Sequence, residues 1–288
     1  MKKKEVRDEF KKGTAGRFAP GLPAKGDGQL LFMLNGLAKL KDDGQMAIIQ
    51  NGSSLFNGDA GSGPSEIRRY LIENDWLDAV VQLPNNAFYN TGIATYIWIV
   101  MKNKPVTHQG KVQLIDASAC CSARRKNIGS KNVDITKVDR DLIIEAYGAY
   151  VDGIYNGVDE NDKAIIVKSK VIDAIDFGYN KIVVETPKLD EDGNIVMKKK
   201  KPVADKSKRD TENVPLTEDI DVYFEREVIP YNSQAWIDKS KTKVGYEIPF
   251  TRTFYEYKQI EPSDVIAARI EEHEKSLMAK LHDLFGGK

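Results

Sequence analysis

The sequence predicts an α/β fold: the distal half of a doubly wound sheet, followed by a mostly helical carboxyl-terminal region. Three observations lead there. Between Leu30 and Met101, helical and strand periodicities alternate in the order helix, strand, helix, strand, strand, the rhythm of an open α/β sheet. With one more short strand this gives four strands and two long helices. That is too few for a complete doubly wound domain, so the missing half is expected upstream. After Ala117 the composition turns to charged and turn-forming residues, as in CSARRKNIGSKN, which marks a change of unit.

The elements follow in order. Residues 1–27 form a charged arm punctuated by Gly and Pro, with no sustained period, and are read as loop. From Leu30 to Leu40 the apolar residues Leu30, Leu34 and Leu37, with Leu31, Phe32 and Met33, make the stripe of an amphipathic helix. Asp27 is placed to cap its start, and Gly44 suits a left-handed stop. Met46–Ile49 is a short apolar run with the pattern of a strand covered on both faces. A glycine-rich loop, NGSSLFNGDAGSGPSE, leads to Pro64 at a helix start, and Ile67, Tyr70 and Leu71 continue that helix to about Asn74. Ala79–Leu83 reads as the next strand. The turn-rich NNAFYNTG then precedes Ile93–Met101, a β-branched and aromatic run suited to a central strand. Lys111–Asp116 is one more strand, and its short connection suggests that the last two pair antiparallel at the sheet edge. A helix is expected from Asp139 to Ala149. Residues 190–210, with the run Lys198–Lys201, read as a solvated loop or hairpin tip. From Ser263 to Phe285, Ile266, Ile270, His273, Leu277, Leu281 and Leu284 are spaced four, three, four, four and three, an amphipathic helix with a near-heptad seam. The units expected are thus an arm at 1–27, a partial α/β domain at 28–118 and a third region at 119–288.

Composition narrows the function classes. The 288 residues are 41% hydrophobic, enough for one sizeable core, and 43 Lys+Arg balance 43 Asp+Glu. Net charge therefore supplies no general attraction to phosphate backbones, and any nucleic-acid contact must be local or come from partners. The two cysteines, Cys120 and Cys121, are adjacent and unsuited to a mutual disulfide; with no Cys-x-x-Cys spacing and no paired histidines, no metal site is expected. No apolar run is long enough to span a bilayer, and the start lacks the apolar segment of a signal peptide, so the chain reads as cytoplasmic.

Several stretches carry a resemblance. GRFAPGLPAKGDGQLLFMLNGLAKLKDDGQMAII, GSGPSEIRRYLIENDWLDAVVQLPNNAFYNTGIATYIWIVMKNK and DTENVPLTEDIDVYFEREVIPYNSQAWIDKSKTKVGYEIPFTRTFYEY occur in this order. Together they resemble the carboxyl-terminal part of the methylation (M) subunit of type I restriction-modification systems, an adenine-specific DNA methyltransferase. The resemblance implies the distal half of a Rossmann-like sheet that uses S-adenosylmethionine, with a carboxyl-terminal region contacting the specificity subunit. It also implies a Gly-rich turn for the donor and an Asn/Asp-Pro-Pro-Tyr/Phe motif for the adenine amine. Neither is present here, since none of the 11 prolines is adjacent to another. The chain alone is therefore expected to lack catalytic residues and to bind no S-adenosylmethionine tightly.

What remains of the site is expected in four places. Phe88 and Tyr89 look like the motif that offers an aromatic face to an extruded adenine, where stacking returns roughly 1–3 kcal/mol; the alternative is that Phe88 anchors its loop in the core. Asp27 and Phe32 fall where the family flanks the cofactor, with helix capping and core packing as their alternatives. Gln50 and Asn51 follow the strand that lines the active-site cleft, although the proline common there is missing and Asn51-Gly52 would also make a turn. Arg68 and Arg69 are placed to meet DNA phosphates, or else form a solvated helix face. The loop from Gly58 to Gly63 lacks the P-loop lysine and is read as surface loop, with phosphate binding as a weaker alternative. The resemblance further implies a partner interface at Ile266, Ile270, Leu277, Leu281 and Leu284, with packing inside the chain as the alternative. The partners it implies are a specificity subunit, a second M subunit, a restriction subunit and, through the complex, DNA. The rival function is a non-catalytic interaction module or split-subunit partner of a separately encoded catalytic half.

Overall fold

The computed structural model describes residues 4–23, 26–159, 162–257 and 260–285. The chain divides into two units, Met1–Thr253 and Phe254–Lys288. In the first, the arm begins with helix α1 (Lys4–Phe10) where loop was expected. Glu9 holds it locally, accepting bonds from Lys12 and from the Arg17 backbone. Residues 1–3 and 24–25 of the arm lie outside the described residues.

Helix α2 (Gln29–Leu37) buries Leu30, Leu31, Met33, Leu34 and Leu37. Strand β1 (Gln45–Asn51), the short helix α3 (Ser53–Phe56), α4 (Gly63–Glu73), β2 (Leu77–Leu83), β3 (Thr95–Met101) and β4 (Lys111–Asp116) follow. Beyond residue 118 come the hairpin β5 (Ser122–Ile128) and β6 (Lys131–Asp134), α5 (Lys137–Ala149), β7 (Gly153–Val158) and β8 (Ala164–Asp173). A Thr136–Asp139 capping box starts α5.

The large sheet has six strands in the order β1-β3-β2-β4-β8-β7, and only β2 and β4 are parallel neighbours. Three expectations change here. First, β3 does not pair with β4. It is hydrogen-bonded antiparallel to β1 on one side and β2 on the other, so both its edges are taken and β4 adds to the free side of β2. Second, the sheet does not end at residue 118, because β8 pairs with β4 and β7 with β8. The shift to charged residues marked a change of surface pattern, not a break in hydrogen bonding. Third, β1 is terminal in the sheet and alternates exposed and half-buried, rather than being covered on both faces.

Helix cover explains that alternation. Neighbouring residues in register point to one face, so Ile49, Ile97 and Val81 share a face. On that face α5 packs Leu142 and Ala146 over Val81, Leu83, Ile115, Ile165 and Val167. The opposite face carries Met46, whose sulfur lies against Gly36 of α2. Helix α5 does not reach β1, where Ala47 and Ile49 remain exposed.

A smaller sheet follows in the same unit. Strand β9 (Gly178–Glu185) is its centre. The exposed two-residue strands β10 (Met197–Lys198) and β11 (Lys201–Pro202) make a hairpin turned by Lys199 and Lys200 at positive φ, matching the hairpin tip expected there. Then β12 (Asp210–Pro215), α6 (Ile220–Glu227), β13 (Trp236–Ile237), β14 (Lys243–Tyr246) and the short α7 (Phe250–Thr253) complete the unit. β12, β13 and β14 all pair with β9, and Phe224 of α6 packs on Ile182, Val184 and Val214. The region after 118 was expected to be mostly helical; between Ser122 and Tyr246 strands outnumber helices. Their alternating pattern was masked by charged outward faces. In the second unit, α8 (Ser263–Phe285) has the bounds the periodicity predicts, and its apolar residues are exposed.

Candidate functional site

Three strand ends converge on one edge of the large sheet. Asn51, ending β1, lies opposite Thr95, and Thr95 lies opposite Leu83, ending β2; Asp116, ending β4, pairs with Gln82. The carboxyl ends of strands in an open α/β sheet form the crevice in which such folds bind ligands.

At the end of β1 the chain assembles a polar cluster. Gln29 Nε2 donates to Asn51 Oδ1 at 2.8 Å and to Asp27 Oδ2 at 2.9 Å. Ser53 Oγ donates to Asp27 Oδ2 at 2.6 Å, and the Asn51 N–H donates to Gln29 Oε1 at 2.9 Å. Gln50 is buried and donates to the Gln29 carbonyl at 3.2 Å, leaving its Oε1 without a partner. Burial raises the pKa of Asp27, but the bonds from Ser53 and Gln29 outweigh it and hold the carboxyl below its ordinary value. The structure thus brings Asp27, Gln50 and Asn51 together and adds Gln29 and Ser53, which sequence reasoning missed. The signal for Gln29 was a lone amide between Asp27 and the apolar stripe of α2. Asp27 also accepts the Gln29 N–H at 3.2 Å, a turn just ahead of α2, whose N-cap is Gly28 rather than Asp27. Phe32 is 71% exposed, which removes core packing as its explanation.

The turn after this cluster is clamped from below. Arg68, expected at a DNA phosphate, is instead fully buried. Its Nε donates to the Tyr246 carbonyl at 2.6 Å and its Nη1 to the carbonyls of Ser54 and Asn57 at 3.1 and 2.9 Å. Burial without a carboxylate partner pulls its pKa down to about 10. Arg69 is partly exposed and spent on Glu73 and Glu66. The Gly58–Gly63 loop is docked too, since Lys181 of β9 donates to Asp59 at 2.7 Å. That bond, over opposing desolvation, holds the Asp59 carboxyl below its usual range. A Cβ at Gly63 would sit 1.9 Å from the Leu22 carbonyl oxygen, so the loop lies tight against the arm.

After β2 the loop carries both aromatic candidates. Phe88 is half-buried and packs against the core beneath α5, so it does anchor the loop, while Tyr89 is 63% exposed. The β5–β6 hairpin braces this loop: the Asn132 N–H donates to the Asn86 carbonyl at 3.3 Å. Asp27 lies beside the crevice, and Phe32 is an exposed ring on α2. Asp27 also lines a cavity with Leu22 and Pro23 of the arm and Gly58, Ser62 and Gly63 of the Gly-rich loop. No group of three or more metal-ligating side chains occurs among the described residues, and no described helix is long and apolar enough to cross a membrane.

Residues 2–190 match the N-6 DNA Methylase family. The chain is 32% identical over 136 residues to the type I restriction enzyme MpnII methylase subunit of Mycoplasma pneumoniae, covering 46% of this chain and 23% of that protein. It is 32% identical over 101 residues to the HindI methylase subunit of Haemophilus influenzae, covering 35% of this chain and 22% of that one. Among solved structures it is similar to the type I restriction-modification methyltransferase subunit of Streptococcus thermophilus, at 28% identity and a TM-score of 0.45, over 57% of this chain and 31% of the other. The matches to these two curated relatives thus span less than a quarter of each one's length.

Proposed function

This chain belongs to the N-6 DNA methylase family, and we propose that it forms the carboxyl-terminal part of the methylation subunit of a type I restriction-modification system. In this reading the completed subunit transfers a methyl group from S-adenosylmethionine to adenine N6 in DNA, and this chain alone does not turn over. One observation carries the proposal. β1, whose end holds the polar cluster, is terminal in the sheet and exposes Ile49. An edge strand presents unpaired N–H and C=O groups to any strand that adds to it. The crevice therefore has one built wall, and methyl transfer needs donor and acceptor held between two.

Within that reading, Tyr89 and Phe88 line the place of the displaced adenine, with Tyr89 the more accessible ring. Asp27 and Phe32 flank the donor, and Gln50 and Asn51 face the cleft. The DNA-backbone role of Arg68 is dropped, and Arg69 is already paired. The exposed α8 residues Ile266, Ile270, Leu277, Leu281 and Leu284 offer an apolar face to the specificity subunit, in a cytoplasmic complex with a second methylation subunit and a restriction subunit.

The test is a methylation assay with labelled S-adenosylmethionine and duplex DNA. The purified chain is assayed alone, then with a separately produced amino-terminal half and specificity subunit from a related system. No incorporation alone and incorporation on complementation are expected. Turnover by the lone chain would overturn the proposal, and failure of every complementing half would favour the non-catalytic interaction module.

A further inference from the structure

We infer that the β5–β6 hairpin is a clamp for the DNA phosphate backbone beside the displaced base, with Arg125 and Lys126 as its contacts. The inference rests on the DNA reading above and adds a binding site to it. Charge supplies the first argument. In a chain with no net charge, the segment from Ser122 to Asp134 holds Arg124, Arg125, Lys126 and Lys131 against the single carboxylate Asp134. That carboxylate is shared by Arg124 and Lys131. Among the described residues Arg125 and Lys126 have no ion-pair partner, and both are exposed. By contrast the half-buried Arg69 is paired with Glu66 and Glu73, and the half-buried Lys181 with Asp59.

Position supplies the second argument. The hairpin is docked onto the loop that carries Phe88 and Tyr89. Its turn residue Gly129 has φ +59°, and a Cβ there would meet Asn90 Oδ1 at 3.0 Å and the Tyr89 ring at 3.2 Å. The Asn132 N–H bonds to the Asn86 carbonyl. The strand that carries these two cations therefore belongs to a hairpin whose turn lies against the exposed Tyr89 ring. Proteins that displace a base must hold the flanking strand while unstacking it, and Lys and Arg contacts to phosphate set position without reading sequence.

The experiment uses the full chain and a fluorescent duplex containing one unpaired adenine, with binding followed by anisotropy across salt concentrations. Arg125→Ser/Lys126→Ser is expected to weaken binding roughly tenfold at low salt and to lower the salt slope by about 2, one contact each. Lys199→Ser/Lys200→Ser removes the same charge from the distant β10–β11 turn and is expected to leave both readouts unchanged. As an independent measure, hydrogen exchange of residues 122–134 in the unmodified chain should slow on adding DNA. If the unmodified chain binds while Arg125→Ser/Lys126→Ser binds equally well, or the two double variants lose equally, the clamp is wrong and the DNA reading stands. If the unmodified chain does not hold the duplex even at low salt, the clamp is wrong, while the methylation reading, in which the completed complex holds DNA, is decided by the methylation assay above.

Discussion

The helix-covered strands of the large sheet and its β1 end are built differently. At the α5 end, β2, β4 and β8 have neighbours on both sides and a helix overhead, with Val81, Ile115, Ile165 and Val167 buried. At the β1 end the same face runs out into Ile97 and Ile99, half-buried, and then into the exposed Ala47 and Ile49. The chemistry of the residues hardly changes along this path; their cover does. The candidate site lies on the boundary, with the polar cluster at the bare end and the aromatic loop anchored at the covered one. The difference teaches that the strands under α5 form a finished scaffold, whereas both terminal strands leave apolar residues in water, Ile49 on β1 and Ile154 and Val158 on β7.

The largest expected effect tests the finished end. Asp78 is fully buried in β2, where Tyr147 of α5 donates to its Oδ2 at 2.7 Å and His108 lies 2.9 Å from Oδ1, stacked on Tyr150. Burial and the bond to Asp78 push the Tyr147 phenol far above its ordinary value. Asp78→Ala would leave a void in β2 and remove the acceptor of two partly exposed partners, and we expect it to cost about 2 kcal/mol or more in urea unfolding. A loss under about 1 kcal/mol would mean that the α5 end is no better consolidated than the β1 end.

A smaller effect separates the ends by how they are held. The α5 end adds a broad apolar core to the Asp78 bonds, whereas the turn beyond β1 is tied down by exposed or half-buried carboxylates. Asp59 is bound to Lys181, and Asp27 to Ser53 and Gln29. Both carboxyls are depressed in the folded protein. Depressed groups contribute stability that is present above the ordinary carboxylate pKa of about 4 and is lost as pH falls through the folded value. Near pH 7 they should change nothing. Below about pH 4, hydrogen exchange should quicken at Asn51–Asn57 before it does so in β2 and β4. Simultaneous loss at both ends would dissolve the distinction.

Much of this architecture was legible because periodicity survives wherever one face is buried and the other is wet. The bounds of α8 could be read from spacing alone, and β2 and β4 from short apolar runs. The small sheet was not legible, because β12 and β14 carry charged or polar residues outward and short bridging strands leave no period. Arg68 was misread because an arginine on an amphipathic helix usually faces water. Yet it stands three and four residues before Leu71 and Ile72, on the buried stripe of α4. That placement was the available signal of a buried cation, although the carbonyls that receive it come from Ser54, Asn57 and Tyr246, distant in sequence. The cluster of Asp27, Gln29, Asn51 and Ser53 was half legible for the same reason. Its members are polar residues at element ends, and only the crossing of α2 over β1 makes them neighbours.

The smallest expected effect lies at the bare end and is the most informative about it. Ile49 is 49% exposed in β1, in register with Ile97. Threonine keeps the β-branched shape and the strand preference while removing apolar surface. Because that surface is already largely in water, Ile49→Thr should change unfolding free energy by no more than about 0.5 kcal/mol. Exposed apolar strand edges do, however, drive association between chains, so the same substitution should reduce concentration-dependent self-association in sedimentation. It should also weaken capture of a complementing amino-terminal half. A destabilisation of about 2 kcal/mol would show that the Ile49 side chain is part of this chain's own core, and the contrast between the two ends would then be one of degree. Unchanged stability with weakened association would show that β1 spends its apolar face on a neighbour, and that the crevice beside Asn51 is completed by the same contact.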